Sequence, residues 1–139
     1  MNPGAGTMHT PAAPVSLLSF DFGTKRIGVA KGNRLLGTAE GLRTITAQGD
    51  ARFEAIAALI RDWQPDALVL GVPRHPDGQP HEMTQRALRF AGQLRGRFRL
   101  PVHEVDERYT SAEAQSLGAR DLDAASAALI LEQFFREHP

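Results

Sequence analysis

The chain has no cysteine, so neither a disulfide nor a thiolate metal site is open to it. That fits a reducing compartment. It also lacks an apolar run of membrane-spanning length, and positions 1–16 have neither the basic start nor the greasy middle of a secretion signal. A cytoplasmic protein is the resulting expectation. Net charge is missing too, because sixteen acids balance sixteen bases, which argues against a wholesale basic coat for nucleic acid. Lysine is scarce: all but two of the basic side chains are arginine, the residue suited to bidentate phosphate contacts. The P-loop, nucleophile-elbow and zincin signatures do not occur, which removes those three chemistries. The histidines at 9, 75, 81, 103 and 138 show no metal-ligand spacing.

What is present is an uneven distribution of charge. Between Thr84 and His103 the chain carries Arg86, Arg89, Arg95, Arg97 and Arg99 with no acid among them. Beyond that stretch acids become frequent, with Glu104, Asp106, Glu107, Glu113, Asp121 and Asp123. A solvated helix face is the plain reading of the arginine run, and phosphate contact through Arg86 and Arg89 is the functional one.

A length of 139 residues suits one domain with a real core. Residues 1–14 are rich in Gly, Ala, Thr and Pro without periodicity and read as a disordered leader, within which Met8 is an alternative start. Residues 15–139 then form a single domain. Val15 to Phe22 is an apolar run ending at an acid, which predicts a central strand. Arg26 to Lys31 and Leu35 to Ile45 are two further strand candidates separated by the turn pair Gly32-Asn33, giving an antiparallel meander. A helix follows over Asp50 to Trp63, with Asp50 as cap and Phe53, Ile56, Ala57, Ile60 and Trp63 on its inner face. Ala67 to Val72 is continuously apolar, as a strand buried on both faces should be. Pro73 to Pro80 reads as a loop, and Glu82 to Phe98 as a helix burying Met83, Ala87, Phe90, Ala91, Leu94 and Phe98. Pro101 to Val105 predicts a short strand, Thr110 to Leu117 a capped helix, and Asp121 to Glu137 a heavily buried helix. Three antiparallel strands followed by strand–helix alternation predict an α/β fold, a five-stranded mixed sheet with helices on its faces.

Three acidic elements stand out. Asp21 ends the first strand directly before Gly23, Thr24 and Lys25, and an unpaired carboxylate there is expensive unless it has work to do. Gly23 lets backbone approach a ligand, and Thr24 and Lys25 can meet phosphate oxygens; an Asx turn is the structural alternative. Asp106 and Glu107 lie where the last strand runs out, followed by Arg108, and neighbours on a strand face opposite ways. A salt-bridged strand end is the alternative there. Asp121 and Asp123 open the final helix, where acids also serve as caps. Together they offer acids from distant parts of the chain at the ends of neighbouring elements. Magnesium ions bridged by a scissile phosphate need that arrangement.

Ser19-Phe20-Asp21-Phe22-Gly23-Thr24-Lys25-Arg26-Ile27-Gly28-Val29-Ala30 resembles the opening motif of the YqgF/RuvX family. Val69 to Pro73 with Asp77-Gly78 resembles its central strand and loop. Asp106 to Ser111 resembles its Asp-Glu-Arg motif, and Asp123 to Ala127 the start of its final helix. The resemblance covers roughly Leu17 to Phe135. It implies an RNase H-like fold related to Holliday-junction resolvases and a metal-dependent nuclease acting on junction DNA or on the 5′ end of pre-16S rRNA. Carried over, Asp21, Glu107 and Asp123 would hold Mg²⁺, with Mn²⁺ as substitute; Asp106 is the alternative middle acid. Lys25, Arg108 and Thr24 would contact phosphate. A junction cutter would act as a homodimer, since symmetric incision needs two sites. The segment Gly118 to Leu122 is shorter than the Gly- and Lys-rich stretch usual in the family, which bears on substrate choice. Two rival readings remain: a module that binds nucleic acid without cutting it, and a fragment of an actin- or Hsp70-like ATPase, whose phosphate loop also has Asp-x-Gly-Thr.

Overall fold

The computed structural model describes residues 14–74, 82–107 and 122–138. The expected leader, the Thr110 helix, Arg108, the shortened Gly118 segment and most of the proline-rich loop lie outside the described residues.

Strands β1 (Ser16–Phe22), β2 (Ile27–Asn33) and β3 (Thr38–Ile45) form the antiparallel meander, and β4 (Ala67–Pro73) and β5 (Val102–Glu107) run parallel to β1. The spatial order is β3-β2-β1-β4-β5, the expected mixed five-stranded sheet. Helix α1 (Asp50–Trp63) links β3 to β4, and α2 (Glu82–Phe98) links β4 to β5. Both cover one face. Leu18, Phe20, Leu68 and Leu70 point from the sheet into a core shared with Phe53, Ile56, Phe90 and Leu94. The final helix, α3 (Leu122–Glu137), covers the other face, where Leu17, Val69 and Val105 meet Ile130, Leu131 and Phe134. Coverage on both sides explains why β4 is apolar without alternation. None of the described helices is long and apolar enough to cross a membrane.

Strand pleating turns successive side chains to opposite faces, and this decides the surroundings of the first acid. Phe20 and Phe22 face α2, with ring centroids 6.2 and 4.9 Å from that of Phe90. Asp21, between them, faces α3 together with Leu17 and Ser19. The Ser19 hydroxyl donates to the Ala127 carbonyl of α3 at 2.6 Å, a buried tie between strand and helix.

Three local expectations are corrected. The turn between β2 and β3 is not at Gly32-Asn33, which belong to β2, but over 34–37. Asn33 Oδ1 accepts from the Leu36 N–H at 3.0 Å, and Gly37 (φ 67°) takes the left-handed position the turn requires. The third strand therefore starts at Thr38, leaving Leu35 and Leu36 exposed. Asp50 does not cap α1. Gly49 holds that position at φ 59° with no side-chain cap, and Asp50 lies in the first turn facing Arg97 at 3.6 Å. Trp63 is not core: it is 40% exposed at the margin of β2 and β3, under the Lys31 ammonium at 4.0 Å, while Leu59 takes a buried place on α1.

The beginnings of β1 and β4 are pinned by Asp66. Its Oδ2 accepts from the Val15 and Ser16 amides at 3.0 and 2.9 Å, and its own N–H donates to the Ser16 carbonyl at 2.7 Å. The Ser16 and then the Val15 amide hold the carboxyl below its ordinary range. The stabilisation is therefore present above the free carboxylate pKa and is lost as pH falls through the folded value. Asp66→Ala should lower unfolding free energy at neutral pH by roughly 0.5–1 kcal/mol, discounted for exposure. The gap from wild type should close in acid, as followed by denaturant melts across pH.

Candidate active site

The parallel strands β1, β4 and β5 all end at one side of the sheet, where open α/β sheets present ligand sites. Asp21 lies near that end of β1. Its register partners are Gly28 on β2 and Gly71 on β4, so it stands between two strands without side chains. Both glycines are required by close approach. A Cβ on Gly28 would stand 1.8 Å from the Asp123 carbonyl oxygen, so the first turn of α3 lies directly on the backbone of β2. A Cβ on Gly71 would meet Ile130 Cδ1 at 2.4 Å and Glu107 Oε2 at 2.9 Å. The Glu107 carboxyl thus passes over Gly71 toward Asp21.

Three of the sequence-predicted acids consequently come together from β1, β5 and α3. Asp21 is hydrogen-bonded to Glu107 and to the buried Ser126, with the charge of Asp123 close by. Asp106 goes elsewhere. In the β4–β5 register it pairs with Val72, on the α2 face, and it accepts from Arg74 Nε at 3.0 Å. Strand alternation separates the two adjacent acids, as their spacing requires.

A cleft of about 430 Å³ opens beside the carboxylates, lined by Asp21, Phe22, Gly23, Thr24, Lys25, Arg26 and Asp123. Thr24 and Lys25 thus lie where the sequence places them, next to the acids. Arg86 and Arg89 are exposed on α2, on the opposite face of the sheet from α3, and are not brought to this cleft. Arg108 lies outside the described residues. Sequence reasoning missed Arg26, whose Nε is 3.1 Å from Asp123 Oδ2. It stands one residue beyond Lys25 in the same basic pair, and that adjacency was the available signal. Ser126 was seen only as a small residue, although its hydroxyl partners Asp21.

Burial is the largest influence on Asp21 and raises its pKa; the bond from Glu107 lowers it, the Asp123 charge raises it, and the Ser126 bond lowers it. The net direction is upward from 3.8. Among the described residues no three His, Cys, Asp or Glu side chains stand close enough to enclose a metal ion. The donor chemistry nonetheless fits magnesium, which takes carboxylate oxygens and keeps several waters rather than accepting a closed protein cage. The Arg26 guanidinium on Asp123 already supplies positive charge there.

This fold has a solved counterpart. Thermus thermophilus RuvC, in complex with a Holliday junction substrate, matches with a TM-score of 0.50 at 15% identity, over 89% of this chain and 96% of that one. A second Thermus thermophilus RuvC structure gives the same score at 13% identity. The architecture is therefore that of the RNase H-like resolvases. At the level of sequence the match is closer: the profile of the RuvX family, described as Holliday junction resolvase, matches residues 15–137. The chain belongs to this family of nucleases. A protein of Albidiferax ferrireducens is 60% identical over 134 residues, covering 96% of this chain and 86% of its own. One from a Polaromonas species is 57% identical over 135 residues, covering 97% and 98%. Both carry the name "Putative pre-16S rRNA nuclease".

Two outcomes follow from the geometry. Because folding raises the Asp21 pKa, its contribution is intact below the free value and is lost as pH rises through the folded one. Asp21→Asn should therefore melt above wild type at neutral pH in the presence of a chelator, with the difference vanishing in acid. Gly28→Ala should push the start of α3 off the sheet, costing about 1–3 kcal/mol in chemical denaturation. It should also reduce cleavage far more than its remaining folded fraction explains.

Proposed function

We propose that this chain is a cytoplasmic, magnesium-dependent endonuclease whose substrate is precursor 16S rRNA, cut near its 5′ end. The observation that carries this reading is the convergence of Asp21, Glu107 and Asp123 beside a cleft whose other wall is Thr24, Lys25 and Arg26. Carboxylates alone would repel a phosphodiester, and a basic loop alone would bind it without cutting. Side by side they suit phosphodiester hydrolysis. The names of the relatives at 60% and 57% identity support RNA as the substrate. The family description supports junction DNA as the second candidate.

Asp21, Glu107 and Asp123 would hold Mg²⁺, and Mn²⁺ would substitute. The bound ion supplies an activated water and stabilises the leaving oxygen. Asp106, turned to the other face and paired with Arg74, has no part in this set. Lys25 and Thr24 would contact the phosphate flanking the scissile bond. Arg26, 66% exposed, is placed to leave Asp123 for a substrate phosphate. Arg86 and Arg89 would meet only a substrate long enough to pass around the sheet edge, and Arg108 would add a further phosphate contact.

The test compares wild type, Asp21→Asn and Asp123→Asn on a precursor rRNA fragment and on a four-way junction, with Mg²⁺, Mn²⁺ or chelator. Wild type should cut the RNA in either metal, and each variant should lose roughly 10²-fold or more while remaining folded. Faster cutting of the junction, by a dimer, would transfer the substrate to DNA. Variants as active as wild type would refute the site. Binding without cutting in either metal would make the chain a non-catalytic module. Tight ATP binding by calorimetry would return the ATPase reading.

A further inference from the structure

Arg52 breaks three local rules at once. It lies in the first turn of α1, where the helix dipole disfavours positive charge. Its Nε is buried with no hydrogen-bond partner, and burial lowers its pKa. Among the described residues no carboxylate stands within ion-pair distance of it; Asp50, in the same turn, faces Arg97 instead. A half-buried guanidinium whose Nε is buried without a partner, at the wrong end of a helix, costs stability, and such costs collect where a protein has other work to do.

The contacts Arg52 does make all concern one loop. Its Nη2 donates to the Thr24 carbonyl at 2.7 Å and to Gln48 Oε1 at 3.1 Å. Gln48 in turn donates through Nε2 to the Lys25 carbonyl at 2.9 Å and to the Thr46 carbonyl at 3.1 Å. The guanidinium also lies 5.8 Å from the ring of Phe22, the residue between Asp21 and the loop. Two consecutive carbonyls of the cleft-lining loop are therefore drawn toward α1. Carbonyl oxygens facing the cleft would repel a phosphate, so fixing them on the α1 side keeps that wall free of their negative ends.

We propose that Arg52 and Gln48 form a two-residue clamp that positions the Thr24–Lys25 backbone for the scissile phosphate, acting through the loop rather than on the substrate. The inference rests on the nuclease reading for its catalytic consequence, but the clamp itself is a property of the free protein. Arg52 is then a positioning residue. Both bonds leave the one Nη2, whose N–H directions are fixed by the guanidinium plane, a direction that an ammonium on a flexible stem does not hold.

The experiment uses the full chain with Arg52→Ala, Arg52→Lys, Gln48→Ala and the double alanine variant. The first readout is hydrogen exchange of the 23–26 amides, with global stability measured alongside. The second is single-turnover cleavage of the precursor rRNA fragment, with its Kd measured in chelator. The clamp predicts that each variant speeds loop exchange about tenfold or more beyond any change in global opening. It predicts that the cleavage rate falls roughly 10–100-fold while Kd changes less than about threefold. The double variant should be no worse than the more damaging single, because the two side chains act as one unit. Lysine should not rescue. Unchanged loop exchange in both Arg52→Ala and Gln48→Ala overturns the clamp. So does rescue by lysine together with a rise in Kd that matches the loss of rate in Arg52→Ala, which would make Arg52 a simple charge. If wild type fails to cut, the nuclease reading falls, and the exchange measurements still judge the clamp.

Discussion

The distance between α3 and the sheet is the constraint on which the rest of this structure depends. The start of α3 rests on bare backbone at Gly28, and its middle reaches down to Gly71. Asp21 stands between those two positions, under the helix and between two strands. The helix therefore brings Asp123 and Ser126 to Asp21 at the place where the strands end. A side chain on either glycine would lift the helix and separate the carboxylates, so close packing and the assembly of acids are one and the same feature. The other sheet face works differently, with ordinary aromatic and aliphatic contacts between α1, α2 and the strands.

Charge is arranged around that contact in a way that follows the pleat. On the α3 face, Asp21 is bonded to Glu107 and Ser126, and Asp123 is paired with Arg26. On the opposite face, Asp106 is paired with Arg74. Two acids adjacent in sequence thereby receive different partners and different environments. Burial, with the Asp123 charge close by, makes the Asp21 carboxyl reluctant to ionise in the free protein. Against this, Arg52 has no acid within ion-pair distance among the described residues and donates to the Thr24 carbonyl at the other side of the same loop. Burial of the Asp21 carboxyl on one side of the loop and of the unpartnered Arg52 Nε on the other are each costly in the free protein.

Most elements were legible because their burial pattern is strong. The unbroken apolar run at β4, the apolar run of β1 ending at an acid and the spacing of Phe90, Ala91 and Leu94 in α2 all reflect burial that the fold confirms. The misread details share a cause. Gly32-Asn33 has turn chemistry, but Gly37 with the Asn33 side chain forms the turn; Asp50 has capping chemistry, but Gly49 holds the backbone angle. Trp63 fits an apolar period, but α1 ends where the sheet no longer covers it. In each case local propensity was satisfied equally well by a neighbouring residue, and long-range packing chose between them. Arg26, Ser126 and Arg52 were missed because their partners are distant in sequence.

The sequence by itself determined the order of elements, the family and which carboxylates were available, because hydrophobic period and motif spacing are properties of the chain read in one dimension. Tertiary structure alone decided that Glu107 rather than Asp106 turns toward Asp21, that two glycines let a helix down onto them, and that Arg26 and Arg52 take their partners from different elements. Those outcomes depend on register and on the height of a helix above a sheet. Both are set by contacts between residues far apart along the chain, where no local pattern records them.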